Sequence, residues 1–178
     1  MVNESIAEAL DHLLQGRTGK RETPDSVARF REKLGHIVPE WYTEMMLRWP
    51  LGGAPLYFPH LCNSACMRWN TLDSILDDTY NYGPSMFIYD HGYITVAQCA
   101  MCTGDPYFIP FFPTTIAQIV RYNDEPDNPP LIQVFHDALD IEEQVTPDAC
   151  VVVAQNLSGF FLHAGVADEE LERDQFDA

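Results

Sequence analysis

The hydrophobic periodicity of this chain changes once, near Ser85, and that switch constrains the fold more than any other feature of the sequence. Before it, apolar residues recur at intervals of three and four, the signature of a helix face. Ile6, Ala9, Leu10, Leu13 and Leu14 form one such face, with Gly16 as a stop. Residues 16–23 are polar and rich in turn formers, and read as a mobile connector to the main body. Thr23-Pro24-Asp25 then opens a helix carrying Val27, Phe30 and Leu34, with Thr23 as its cap. Pro39 opens another, with Trp41, Met45 and Trp49 in one row. An aromatic and methionine stripe at this spacing is core packing. Thr71 caps a fourth, with Leu72, Ile75, Leu76 and Thr79 inward.

After Ser85 the texture is that of strands. Residues 86–89, 93–99, 106–111, 115–122 and 131–136 are short runs rich in Ile, Val, Tyr, Phe and Thr, each bounded by turn residues. Short loops between most neighbours favour antiparallel pairing. Residues 123–130 hold three prolines and cannot continue a strand, so they form a hairpin tip that concentrates Asp124, Glu125 and Asp127. Thr146-Pro147-Asp148 resembles a helix start, and the favoured reading is a helix with an open start, although Val151-Val152-Val153 is β-branched and suits a strand. Asn156 is a second cap, and a helix covers at least residues 157–162. Residues 168–178 hold six acids against Arg173 and read as a frayed helix or a disordered tail. Helices first, strands next and a helix last describe an α+β fold, a single domain with a twisted, mostly antiparallel sheet packed by helices. Its parts are an N-terminal helix and connector over 1–23, the domain proper over 24–165, and an acidic tail over 166–178. Strands and helices do not alternate regularly, so a Rossmann-type parallel sheet does not fit.

Charge narrows the function. The chain has 27 acids and 10 bases, a net −17. Residues 1–35 are neutral overall, so the surplus lies in residues 36–178, and no lysine follows Lys33. There is no cationic excess to displace the counterions of a nucleic acid or to hold an anionic membrane. No apolar stretch reaches the roughly 18–20 residues of a membrane helix. Met1-Val2-Asn3-Glu4 lacks the basic start of a secretory signal, and five scattered cysteines form no small disulfide framework. Reduced thiols in a cytoplasmic protein are the expectation.

Several constellations carry residue types suited to chemistry. Cys62-x3-Cys66 with Cys99-x2-Cys102, and His60 nearby, could supply four thiolates to a tetrahedral zinc. The first pair is loosely spaced and the second lies in an apolar run, so the expectation is no metal and no cofactor. Cys99-Ala100-Met101-Cys102 lacks the helix start that activates a redox thiol. Six scattered histidines accompany no nucleophile elbow and no His-Glu-x-x-His pair. Residues 16–21 are too short for a phosphate loop, and Asn156-Leu157-Ser158 reads as a cap, not a glycosylation site. The adjacent acids Asp77-Asp78 and Glu142-Glu143 read as solvated faces. In Gly104-Asp105, glycine supplies positive φ and the carboxylate can bond nearby amides, so Asp105 is a turn former.

One ordered set of motifs carries a resemblance. Gly92-Tyr93-Ile94-Thr95-Val96-Ala97 leads through a short turn into Gly104-Asp105-Pro106-Tyr107-Phe108-Ile109. Ile37-Val38-Pro39-Glu40-Trp41-Tyr42 precedes it with a Gly52-Gly53 turn, and Val134-Phe135-His136-Asp137 and a Phe-rich closing helix follow. This arrangement, over residues 24–165, resembles the SUKH superfamily, which includes the yeast cell-wall synthesis regulator and many bacterial immunity proteins. Pro106 and the long segment 59–82 depart from the family pattern. The resemblance implies a non-enzymatic binding protein, an immunity protein that neutralises a cognate toxin by direct contact. The alternatives are a regulatory scaffold of the cell-wall-regulator kind and a zinc- or thiol-dependent hydrolase. The acidic surplus independently suits a basic protein partner such as a toxin domain. Its expected contact face comprises Asp124, Glu125, Asp127, Asp137, Asp140, Glu142 and Glu143.

Overall fold

The computed structural model describes residues 1–15, 19–34, 38–58, 65–89, 92–100, 104–111, 125–135 and 149–166. Three helices come first: α1 (Glu4–Leu13), α2 (Pro24–Leu34) and α3 (Glu40–Arg48). Their starts follow local chemistry. Asn3 accepts from the Ser5 amide, and Thr23 Oγ1 accepts from the Ser26 amide at 3.1 Å. Two strands follow, β1 (Pro55–Phe58) and β2 (Ala65–Trp69), then α4 (Leu72–Asn81) and α5 (Ser85–Tyr89). Thr71 caps α4 by accepting from the Ser74 amide, and Leu72, Ile75, Leu76 and Thr79 are its buried row, as the periodicity predicts. The remaining elements are β3 (Tyr93–Cys99), β4 (Pro106–Pro110), β5 (Leu131–Val134), β6 (Cys150–Ala154), α6 (Leu157–His163) and β7 (Gly165–Val166).

All seven strands join one antiparallel sheet in the order β6-β5-β4-β3-β2-β1-β7. The expected α+β architecture is therefore present, with helices packed on an antiparallel sheet. Strands β1 to β6 form a meander, and β7 returns to the free edge of β1. A flat sheet would hold β6 and β7 about 29 Å apart, six strand spacings. The link from Ala154 to Gly165 is short. It reaches about 9 Å along α6 and about 17 Å through its extended steps, even if collinear. The sheet must therefore curl around α6. Phe160 and Phe161 of that helix meet Trp69 on β2, with ring centroids 6.3 and 5.2 Å away, and Phe160 meets Phe58 on β1 at 5.4 Å. Helix α1 packs on α6, so Ile6, Ala9 and Leu10 belong to the same core as Trp69 and Tyr107. A smaller cluster, Ile88, Tyr93, Phe108, Ile132 and Val134, sits between α5 and the opposite sheet face. That is why every residue of β4 is buried.

Three expectations are corrected. Residues 86–89 are helix, within α5, because the Tyr82 and Pro84 carbonyls accept from the Met86, Phe87 and Ile88 amides. A four-residue apolar run cannot distinguish strand from helix by itself. Strands β1 and β2 add to the expected set; β1 is only four residues long and starts on a proline, too short for its pattern to mark it. The connector is pinned over its described part. Lys20 and Gly52 exchange two backbone hydrogen bonds, and the Glu22 amide donates to Met46. The Glu22 carboxylate is buried, where Oε1 accepts from the Leu72 amide at 3.0 Å and Oε2 from Ser26 Oγ at 2.7 Å. It thus caps α4 together with Thr71. The hairpin expected to carry residues 123–130 at its tip would join β5 to the run 115–122, which is outside the described residues; the described neighbours of β5 are β4 and β6. The run 115–122, the helix start at 146–148 and the tail 168–178 lie outside the described residues.

Candidate functional site

Two of the seven expected contact residues lie in described segments: Glu125 is exposed and Asp127 half-exposed. Asp124, Asp137, Asp140, Glu142 and Glu143 lie outside the described residues. The loop that carries Glu125 and Asp127 is anchored by a residue the sequence reading passed over. Asn128 is buried, and its amide nitrogen donates to Glu125 Oε2 at 3.1 Å and to Ser158 Oγ at 3.0 Å. Its carbonyl oxygen accepts from the Ser158 amide at 2.9 Å, in the first turn of α6. Asn156 holds the same turn by accepting from the Gly159 amide at 2.7 Å. The acidic loop is thus bolted to the helix the sheet wraps. An asparagine beside a Pro-Pro pair is ordinary loop chemistry, so its long-range role left no local signal.

Pro126 and Asp127 stand at the rim of a cleft of about 550 Å³, whose other walls include Pro39 and Trp41 of the α3 start, Phe111 after β4, and Arg31 of α2. That size suits a small ligand or a few side chains of a partner. Arg31 is held by Thr43, whose Oγ1 accepts from the guanidinium at 2.6 Å. The cleft combines a proline and aromatic floor with charges of both signs, Arg31 against Glu40 and Asp127.

A second cleft, of about 290 Å³, opens between the end of α4, α5 and the β3–β4 turn. Its notable member is Asp78, expected to be a solvated acid. Asp77 is exposed as expected, but Asp78 is half-buried, and its Oδ2 accepts from the Asn70 and Gln98 side-chain amides, each at 2.8 Å. Burial pushes the Asp78 carboxyl above its ordinary range; the two amide bonds oppose this and Asp77 adds to it. Gly104 lines this cleft with φ +69°, the positive value expected for the Gly-Asp turn, and Asp105 is buried beside it.

The thiols are less suited to chemistry. Cys66 and Cys99 lie on neighbouring strands, Met67 pairing with Cys99, whereas His60, Cys62 and Cys102 are outside the described residues. Among the described residues no three His, Cys, Asp or Glu side chains gather to hold a metal ion. Burial pushes the Cys150 thiol up to about 11, so it is protonated and inert at neutral pH. Among the described residues no helix is long and apolar enough to cross a membrane. Compared with protein-family models, characterised proteins and solved structures, the chain matches none.

Proposed function

We propose that this chain is a non-enzymatic binding protein of the SUKH type, and that it neutralises a basic protein, a toxin domain, by contact through its acidic surface in the cytoplasm. The observation that carries this reading is the loop 125–130. Its backbone is fixed by the internal anchor Asn128, with Glu125 exposed and bonded to that anchor and Asp127 lining a cleft large enough for partner side chains. Such preorganisation lowers the ordering cost of binding. The charge balance points the same way: with 27 acids and 10 bases, the carboxylates cannot all be neutralised within the chain. The described bases of the later segment are engaged elsewhere. Arg48 lies 4.3 Å over the Trp49 ring and Arg68 donates to the Gly53 carbonyl. A negative potential therefore reaches solvent and speeds encounter with a basic partner. The order of elements, the Pro39-led helix, the positive-φ Gly104 turn and the Phe160-Phe161 closing helix support the resemblance.

The experiment is affinity capture with mass spectrometry, followed by association kinetics over a range of salt. Replacing Asp124, Glu125 and Asp127 by Lys should slow association with the captured partner and flatten its salt dependence, with only the small fall in melting temperature that loss of the Glu125–Asn128 hydrogen bond brings. An acidic partner, or an on-rate indifferent to both salt and these substitutions, refutes the proposal. For the immunity role, co-expression should rescue cells from the partner's toxicity.

A further inference from the structure

We infer that the cleft between α4, α5 and the β3–β4 turn receives one arginine side chain of the basic partner, with the Asp78 carboxylate as its counter-ion. The inference rests on the proposed function for the identity of the partner; the cleft's own chemistry asks only for a guanidinium group. The first support is geometric. Asn70 precedes the cap of α4 and Gln98 lies on β3, and their amides fix Asp78 Oδ2 from two different elements. The carboxylate is oriented before any ligand arrives, and Oδ1 makes no hydrogen bond among the described residues. The second support is shape. The cleft takes about 290 Å³ and is bounded beside Asp78 by Gly104, Pro106 and Tyr82. Tyr82 is 57% exposed and offers a ring face on which a planar cation can stack.

The third support is the missing partner. No described Lys or Arg pairs with Asp78, although Asp73 on the same helix has Arg29 at 3.0 Å. Desolvation without a counter-ion disfavours the charged carboxylate, as the raised affinity of Asp78 for its proton reflects. A docking guanidinium would relieve that penalty. It can also donate to the unoccupied oxygen while its plane lies against the Tyr82 ring, which a compact ammonium does with less directionality.

The test uses the full chain, labelled with nitrogen-15, and N-acetyl-arginine N-methylamide as probe. Saturable shifts are expected at the Gly104 amide and at the Asn70 and Gln98 side-chain amides. The uncharged isostere N-acetyl-citrulline N-methylamide should leave them unmoved. Asp78→Asn keeps an acceptor for both amides but removes the charge, and should weaken the probe at least about tenfold. Tyr82→Ala, at an exposed position, tests the same cleft without touching the hydrogen-bonded group and should also weaken it. Asp77→Asn removes a neighbouring charge but no contact, and should weaken the probe far less than Asp78→Asn does. No saturable response, shifts spread over the acidic surface, or equal affinity in Asp78→Asn would overturn the inference. If a basic partner is captured while the probe ignores Asp78, the cleft assignment fails and the partner reading stands. If the probe titrates at Asp78 and no basic protein is captured, the cleft stands and the partner reading fails.

Discussion

Glu22 offers the most direct test of how the N-terminal third is joined to the sheet. Its carboxylate is 7% exposed, and it accepts from the Leu72 amide at 3.0 Å and from Ser26 Oγ at 2.7 Å. Glu22→Ala removes both acceptors. Hydrogen bonds to a charged group contribute about 1.5–3 kcal/mol each, and a buried N–H left without a partner costs about 1–3 kcal/mol. The desolvation cost of the carboxylate is recovered in the variant, which offsets part of the loss. The net is about 3–4 kcal/mol, or a fall of about 10 °C in melting temperature for a domain of this size. Glu22→Gln keeps an acceptor for Leu72 and leaves Ser26 its bond to the Thr23 carbonyl at 2.9 Å, so it should cost about 1 kcal/mol. Guanidinium chloride unfolding followed by circular dichroism measures both, provided the slope against denaturant is unchanged. A loss under about 0.5 kcal/mol for Glu22→Ala, or equal losses for the two variants, would show that Glu22 does not act as the cap of α4.

Two other substitutions follow from the second cleft and its turn. Because burial raises the Asp78 carboxyl above its ordinary 3.8, the folded protein binds this proton more tightly than the unfolded chain does. Stability is therefore lost as pH rises from the ordinary value through the raised one. Asp78→Asn should melt above the parent at pH 7, by a margin that shrinks as the pH is lowered toward 4; a margin that grows instead would reverse the sign of the argument. Gly104 has φ +69° and open space where a Cβ would sit, so Gly104→Ala should cost about 1–2 kcal/mol from backbone strain alone, and Gly104→Asn less. Denaturant midpoints for the two variants decide it, and a Gly104→Ala variant as stable as the parent would deny the strain.

The elements legible in the sequence are those whose cause is local. Thr71 and Asn156 announce α4 and α6 because a cap bonds an amide three residues on, and both bonds are present. Strand β3 is a seven-residue run between turn residues. What escaped has its cause outside the element itself. Strand β1 is four residues whose partners, β2 and the late β7, are supplied from elsewhere. Helix α5 differs from a strand through carbonyls of Tyr82 and Pro84, not through its own apolar residues. The candidate sites show the same division. The acids of the 125–130 loop are visible as a proline-rich cluster, but Asn128 acts through Ser158, thirty residues later. Glu22 meets Leu72 across fifty residues, and Asp78 meets Gln98 across twenty. No pattern within a window of the sequence encodes such partners.

The clasp of α1 on α6, with β7 on the edge of β1, also sets a timetable for synthesis. Helix α1 is complete at Leu13, but the face it covers is not made until residue 157 and beyond. At about 5–20 residues per second, the nascent chain carries Ile6, Ala9 and Leu10 without their partner for on the order of ten seconds. The edge of β1 waits as long for β7, and an unpaired edge is a template for a neighbouring chain. Contacts this distant in sequence cannot nucleate early, so closure of the sheet comes late and the whole domain depends on it. A ribosome halted before α6 would hold a chain that binds chaperones strongly. Synthesis of α6 and β7 would then let the sheet close on its core.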